Sequence, residues 1–332
     1  MAKHRGMGME TENASAPMAQ PGATRKTLAN SLTGLLDSDP SCAELNAVPV
    51  RDEELAARGV HAEAPARWNS EARFFDEIAQ HLSARLQPMD PRMVARYHQP
   101  EHPWFNKEFR FQLLGDLRGK RVLDVGCGDG INSALMAKAG AHVTGVDISP
   151  GSVELCKQRA RLEGIESRTQ YLCSPLEAIE LPEEHFDIIW GDGILHHVIP
   201  ELDGVMRQLM KWAKPGALFV FSEPVSLTPW LRKLRKGVPI HTDATPDERP
   251  LEKAELSVIL RHLPGLELKW FHLMNRFSSL ILPLHHNYES ASLPRRLAVD
   301  MLGRMDQVLL SVPRLQTLGG MCVMYGKKPE SR

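Results

Sequence analysis

The stretch VLDVGCGDGINSALMAKAG, residues 122–140, decides how this chain is read. An apolar run, Val122–Val125, breaks on three alternate glycines, Gly126, Gly128 and Gly130, and then turns amphipathic. That pattern predicts a strand, a tight turn and a helix that together hold a ligand. Glycine adopts positive φ without a steric penalty, and the first turn of a helix offers unpaired N–H groups. A dinucleotide-binding turn reads G-x-G-x-x-G, its third glycine letting the helix pack on the strand. Here that position holds Ile131, so the dinucleotide fingerprint fails. Asp124, two residues before the first glycine, would repel a pyrophosphate, whereas a ligand ammonium group would gain a charge-assisted hydrogen bond there.

Working outward, the chain alternates in βαβ fashion from Lys120. Strands are expected at Arg121–Val125, His142–Asp147, Arg168–Cys173, Phe186–Gly191 and Ala217–Glu223, with helices at Ile131–Ala139, Ser149–Glu163 and Leu202–Ala213. The strands are short, aliphatic and not alternating, as in a parallel sheet covered on both faces. A helix from Leu251 to His262 and strands at Leu266–His272 and Met321–Gly326 complete the pattern. The expected fold is α/β, a doubly wound, seven-stranded, mostly parallel sheet with helices on both faces. An N-terminal helical cap and a helical insertion before the last strand are added to it. Residues 1–66, rich in Ala, Pro, Ser, Gly and Glu, read as a mostly disordered tail with a helical turn near Leu28–Leu36. Residues 67–118 form the cap, whose first helix starts at an Asn69 cap and carries Phe74, Ile78, Leu82 and Leu86 at helical spacing. Residues 119–274 are the core, 275–317 the insertion and 318–328 the final strand. The longest insertion helix, Pro294–Ser311, aligns Leu297, Met301, Met305, Val308 and Val312 on one stripe, opposite Arg296, Asp300, Arg304 and Gln307. That stripe and the breaks at Pro283, Pro294 and Pro313 predict a cover over a hydrophobic pocket.

Composition narrows the classes. The 332 residues are 42% hydrophobic and 24% charged, with a formal net charge of −1, so no basic excess points to nucleic acid. Cys42, Cys127, Cys156, Cys173 and Cys322 are scattered without a C-x-x-C pair, which reads as reduced thiols in a cytoplasmic protein. No run approaches the ~18 apolar residues of a membrane span, and residues 1–26 hold no apolar stretch able to act as a secretory signal, so neither is expected. His285, His286 and Glu289 lack a third well-spaced ligand, so no metal is expected. Oligomer formation is left open by this composition.

The second expected strand ends in VTGVD, which places Asp147 at the carboxyl edge beside the glycine turn. An acidic group there suits both hydroxyls of a ribose. A ribose, no phosphates and a positively charged amino-acid end describe S-adenosylmethionine.

At this point the sequence resembles the class I, Rossmann-like, S-adenosylmethionine-dependent methyltransferases. VLDVGCGDG is similar to their first motif and VTGVDIS to the acidic end of the second strand. FDIIWGDGILHHV is similar to the fourth strand and its exit, and KPGALFVFSEP to the fifth strand. The Leu-His-His-Val exit and the KPG turn resemble the branch with the ubiquinone and menaquinone C-methyltransferases and natural-product O-methyltransferases. The resemblance implies that Gly126, Cys127 and Gly128 lie along the methionine moiety, with Asp124 near its amino group and Gly191 on the same side. Asp147 would hold the ribose and Ile148 would pack on the adenine. The family's acidic residue after the third strand is replaced by Ser174, followed by Pro175, which has no N–H to give. Ser174 and Leu176 are therefore the expected adenine contacts.

The methyl acceptor should arrive at the loop leaving the fourth strand, where His196 and His197 are the candidate catalytic bases. The partner expected is a small, largely apolar acceptor methylated on O or C, quinone-like, isoprenoid-like or another natural product. An RNA methyltransferase using the basic piece Arg232–Lys236 and an inactive cofactor-binding partner protein are the alternatives.

Overall fold

The computed structural model describes residues 48–228, 249–282 and 288–330. Helices α1 (Asp52–Ala57), α2 (Ala64–Ser83), α3 (Pro91–His98) and α4 (Asn106–Leu114) precede the sheet. The sheet strands are β2 (Arg121–Val125), β3 (His142–Asp147), β4 (Thr169–Cys173), β6 (Phe186–Asp192), β7 (Ala213–Pro224), β8 (Glu267–Phe271) and β9 (Met321–Lys327). Between them run α5 (Ile131–Lys138), α6 (Pro150–Glu163), α7 (Leu202–Trp212), α8 (Lys253–His262) and α9 (Leu293–Leu309). Two short strands, β1 (Val48–Pro49) and β5 (Ile179–Glu180), pair antiparallel beside this sheet.

The seven strands lie in the order β4-β3-β2-β6-β7-β9-β8, and only β9 runs against its neighbours. Strand order reverses between β2 and β6, so their carboxyl ends open a crevice that no crossover helix closes. Successive strand residues feed opposite faces. Leu123, Ile189, Phe219 and Phe221 join the core shared with Trp212, whereas Val122, Ile188, Trp190 and Val220 join the core under Leu135 and Phe111. Both faces are buried, and this is why the strand sequences lack alternation.

Four expectations differ from the structure. The tail does not extend to residue 66, since β1 and α1 already form within it and Arg58 bonds back to Ile179 and Glu180. Asn69 is not a cap: α2 begins at Ala64 with Pro65 in its first turn, and Asn69 lies inside the helix. The face of α2 that meets the core domain also differs, because Leu82 is exposed and Leu86 lies beyond the helix end.

The fourth difference is in α9. Its apolar stripe points to solvent, with Leu297 57%, Met301 58% and Val308 69% exposed. The inward face carries Val299, Gly303 and Asp306. Gly303 lets Trp104 approach to where a Cβ would stand 2.6 Å from the indole. Asp306 accepts backbone N–H bonds from Leu273, Met274 and Asn275, and the Arg304 guanidinium lies 4.4 Å from the centre of the Trp104 ring. Periodicity locates a stripe but not the side it faces. Pro283, His285, His286 and the basic piece Arg232–Lys236 lie outside the described residues. Among the described residues no helix is long and apolar enough to cross a membrane.

Candidate active site

The glycine turn is built by local hydrogen bonding at the crevice. Gly126, Gly128 and Gly130 all have positive φ. The N–H groups of Gly126 and Cys127 both donate to the Val146 carbonyl, which ties the turn to β3. A Cβ on Gly126 would meet the Ile194 side chain at 2.8 Å, so the close packing of two loops requires glycine there. At Gly128 a Cβ would meet nothing within 4 Å; this glycine borders open cavity.

That cavity has a volume of roughly 270 Å³. It brings together Gly126, Gly128, Asp147, Ile148, Ser174, Leu176, His196 and His197 from the sequence reading. Asp147 sits at the end of β3, where its Oδ2 accepts from the Gly128 N–H at 2.8 Å and its Oδ1 from the Ser149 N–H at 2.9 Å. Burial raises its pKa, and the two N–H bonds oppose that shift. The Ser174 N–H is already spent on the Asp147 carbonyl at 2.9 Å.

Three other expected residues stand outside the cavity lining. Gly191 lies beneath it, where a Cβ would collide with Phe221 and Ile194. The Cys127 thiol is buried 3.7 Å from the Cys156 sulfur. Asp124 is buried behind the turn and accepts from the Ser133 hydroxyl at 2.6 Å. Loss of water raises the Asp124 pKa to about 7, with the Ser133 hydrogen bond opposing and Asp192, Asp147 and Asp129 adding like-charge repulsion.

The sign of the pH effect follows. A carboxyl whose folded pKa exceeds its unfolded value contributes stability at low pH that is lost as pH rises through the folded value. The ligand-free protein should therefore lose stability between about pH 4 and pH 7, and Asp124→Asn should flatten that slope. Urea unfolding of both proteins across this range is the measurement, and parallel slopes would show that Asp124 is already ionised.

Several lining residues have no mark in the local sequence. One face of α2 supplies Trp68, Glu71 and Phe75 to the cavity. The helix is anchored by Asp76, which accepts from the Ser149 hydroxyl at 2.6 Å and the Gly151 N–H at 2.8 Å. Arg67 ties its start to Glu177 and Glu201, both at 2.7 Å, and the Trp68 indole N–H donates to Glu177 at 3.2 Å.

Glu223, at the end of β7, organises the histidine loop. Its fully buried carboxylate accepts from the N–H groups of Ile194, Leu195 and His196 and from His196 Nδ1 at 2.8 Å. A carboxylate only accepts, so Nδ1 carries the hydrogen and Nε2 is the basic nitrogen. The His197 ring lies 4.2 Å from that of His196 and edge-on to Phe75 at 5.5 Å. Asp192, ending β6, is held by Arg110 at 2.9 Å and Asn132 at 3.1 Å, and these partners keep its pKa low against the cost of burial.

Residues 123–221 match the family model described as a methyltransferase domain. Curated relatives named ubiquinone biosynthesis O-methyltransferase are similar over part of the chain. The relative from Bordetella avium (strain 197N) is 37% identical over 141 residues, which is 39% of this chain and 56% of the relative. That from Pseudomonas putida (strain W619) is 33% identical over 148 residues, covering 40% and 63%. That from Bordetella bronchiseptica (strain ATCC BAA-588 / NCTC 13252 / RB50) is 45% identical over 115 residues, covering 33% and 45%. The chain thus spans about half the length of the curated relatives it matches.

Proposed function

We propose that this chain, which carries a class I S-adenosylmethionine-dependent methyltransferase domain, transfers a methyl group to an oxygen or carbon of a small, largely apolar acceptor. The observation that carries the reading is the convergence of the glycine turn, Asp147 and the His196–Glu223 pair on one crevice. The residues fit the cofactor: Asp147 offers a carboxylate at the strand end, and Gly128 leaves room where any Cβ would intrude. When bound, S-adenosylmethionine supplies an electrophilic methyl group on sulfonium sulfur.

The chain's own task is mainly alignment, which supplies much of the rate in such transfers. Asp147 would hold the ribose, and Ile148, Leu176 and Trp68 would enclose the adenine by shape, since Pro175 has no N–H and that of Ser174 is used. Asp124 and Gly191 would act from behind the turn on its methionine side, with Cys127 as a small filler. His196 would take the acceptor's proton on Nε2 while Glu223 holds the ring and stabilises its charged form. The free cysteines among the described residues agree with a reducing compartment, and we assign the protein to the cytoplasm.

Calorimetric titration with S-adenosylhomocysteine and with NAD tests the cofactor assignment. The first should bind and the second should not; tight NAD binding would sink it. Transfer of labelled methyl to a panel of catechols and quinols then separates an enzyme from an inactive cofactor-binding partner.

A further inference from the structure

A second cavity of about 390 Å³ adjoins the first at Asp192, which lines both. Its walls come from α3, α4, the ends of β7 and β9, and the segment between β8 and β9. Part of the wall is apolar, with Leu282, Val299 and Met321. The rest is polar in a particular way.

Three side chains lining it are more than nine-tenths buried and each has a polar atom without a hydrogen-bond partner among the described residues. Arg110 is 3% exposed; its terminal nitrogens hold Asp192 and its Nε has no acceptor. Asn106 is 8% exposed; its Oδ1 accepts from the Ser222 hydroxyl at 3.1 Å, which fixes Nδ2 as the unmatched donor. Asn275 is 7% exposed, with Oδ1 unmatched. Unmatched buried donors are costly and are kept where something satisfies them.

The charges balance by count, Arg96, Lys107 and Arg110 against Glu108, Asp192 and Glu289, but they are not all paired. Glu108 and Glu289 are both engaged by Arg96, and Asp192 is engaged by Arg110 and Asn132. Lys107 lines the same cavity, forms no ion pair among the described residues, and places its ammonium 5.0 Å from the centre of the Tyr97 ring. Burial lowers its pKa to about 8, so much of it remains charged near neutrality and a counter-ion would raise that fraction.

We infer that the methyl acceptor carries an oxyanion, a carboxylate or phosphate, bound in this second cavity by Lys107 with Asn106 Nδ2 and Arg110 Nε. The inference rests on the methyltransferase reading and refines it: the acceptor is an acid whose apolar body lies along Leu282, Val299 and Met321. Asn275 Oδ1 would take a hydroxyl of the same molecule. An acidic end anchored here places the rest of the acceptor toward Asp192 and the histidine loop, where the two cavities meet.

The test uses the full chain saturated with S-adenosylhomocysteine and titrates 3,4-dihydroxybenzoate, catechol and inorganic phosphate by calorimetry. The benzoate should bind at least about tenfold more tightly than catechol, and Lys107→Met should remove that advantage while Lys107→Arg keeps it. Phosphate binding in place of the benzoate would assign the site to phosphorylated acceptors. Equal binding of benzoate and catechol without phosphate binding, or a preference that survives Lys107→Met, would overturn the inference. So would a loss of S-adenosylhomocysteine affinity in Lys107→Met, because the oxyanion would then be the cofactor's own carboxylate. Failure of the wild type to bind S-adenosylhomocysteine would instead count against the methyltransferase reading.

Discussion

Replacing His196 by Ala is expected to lower turnover about 10²–10⁴-fold on an acceptor that must lose a proton, with S-adenosylhomocysteine affinity retained. The expectation stands on Glu223. A ring held by a carboxylate at Nδ1 presents one defined tautomer, with Nε2 as proton acceptor. Glu223→Gln separates this role from simple packing. The amide can donate to Nδ1 and favour the opposite tautomer, so turnover should fall while acceptor KM changes little. Glu223 is a positioning residue in this scheme, because it reaches the acceptor only through His196. His197→Ala should have the smaller effect, since that ring packs edge-on to Phe75. Turnover of the wild type should decline at acidic pH as the imidazole becomes protonated, and this limb should vanish in His196→Ala. Full activity with an unchanged pH profile in both histidine variants would mean that alignment alone carries catalysis.

The parts of the site legible in the sequence are those encoded locally. β2 and β3 begin and end where the apolar runs do, because strands buried on both faces leave a continuous hydrophobic signature. The glycine turn and Asp147 follow from spacing within one βαβ unit. Trp68, Glu71 and Phe75 were illegible for the opposite reason: they reach the cavity through α2, whose docking depends on Asp76 meeting Ser149 and Gly151 far along the chain. Glu223 and Asp192 did leave a signal. An acidic residue that ends an apolar strand, as in FVFSEP and IIWGD, must be paired if buried, and both are. The α9 stripe misled because the face that packs inward carries only Val299, Gly303 and Asp306, with an indole seated against the glycine. The polar second cavity was likewise hidden, since Asn106, Lys107 and Arg110 come together with Asn275 only in the fold.

Replacing Asp147 by Ala is expected to weaken S-adenosylhomocysteine binding by roughly 2–4 kcal/mol, about 30- to 1,000-fold. Two effects contribute. The carboxylate would lose its bonds to the ribose, and the Gly128 and Ser149 N–H groups would lose their acceptor, loosening the turn. A 2′-deoxy analogue of S-adenosylhomocysteine separates them. If Asp147 holds the ribose, removing the hydroxyl and removing the carboxylate should be far from additive; if it only braces the turn, the two losses should add. Asp147→Asn supplies a third point, keeping an acceptor oxygen but not the charge. The pH dependence has a definite sign. Burial raises the Asp147 pKa, and the ionised form is the better acceptor for two hydroxyls. Affinity should therefore fall as the solution is made more acidic, with a steeper fall in the wild type than in Asp147→Asn. Calorimetry of the three proteins with both ligands decides the matter, and an Asp147→Ala protein that binds as tightly as the wild type would remove the ribose from β3.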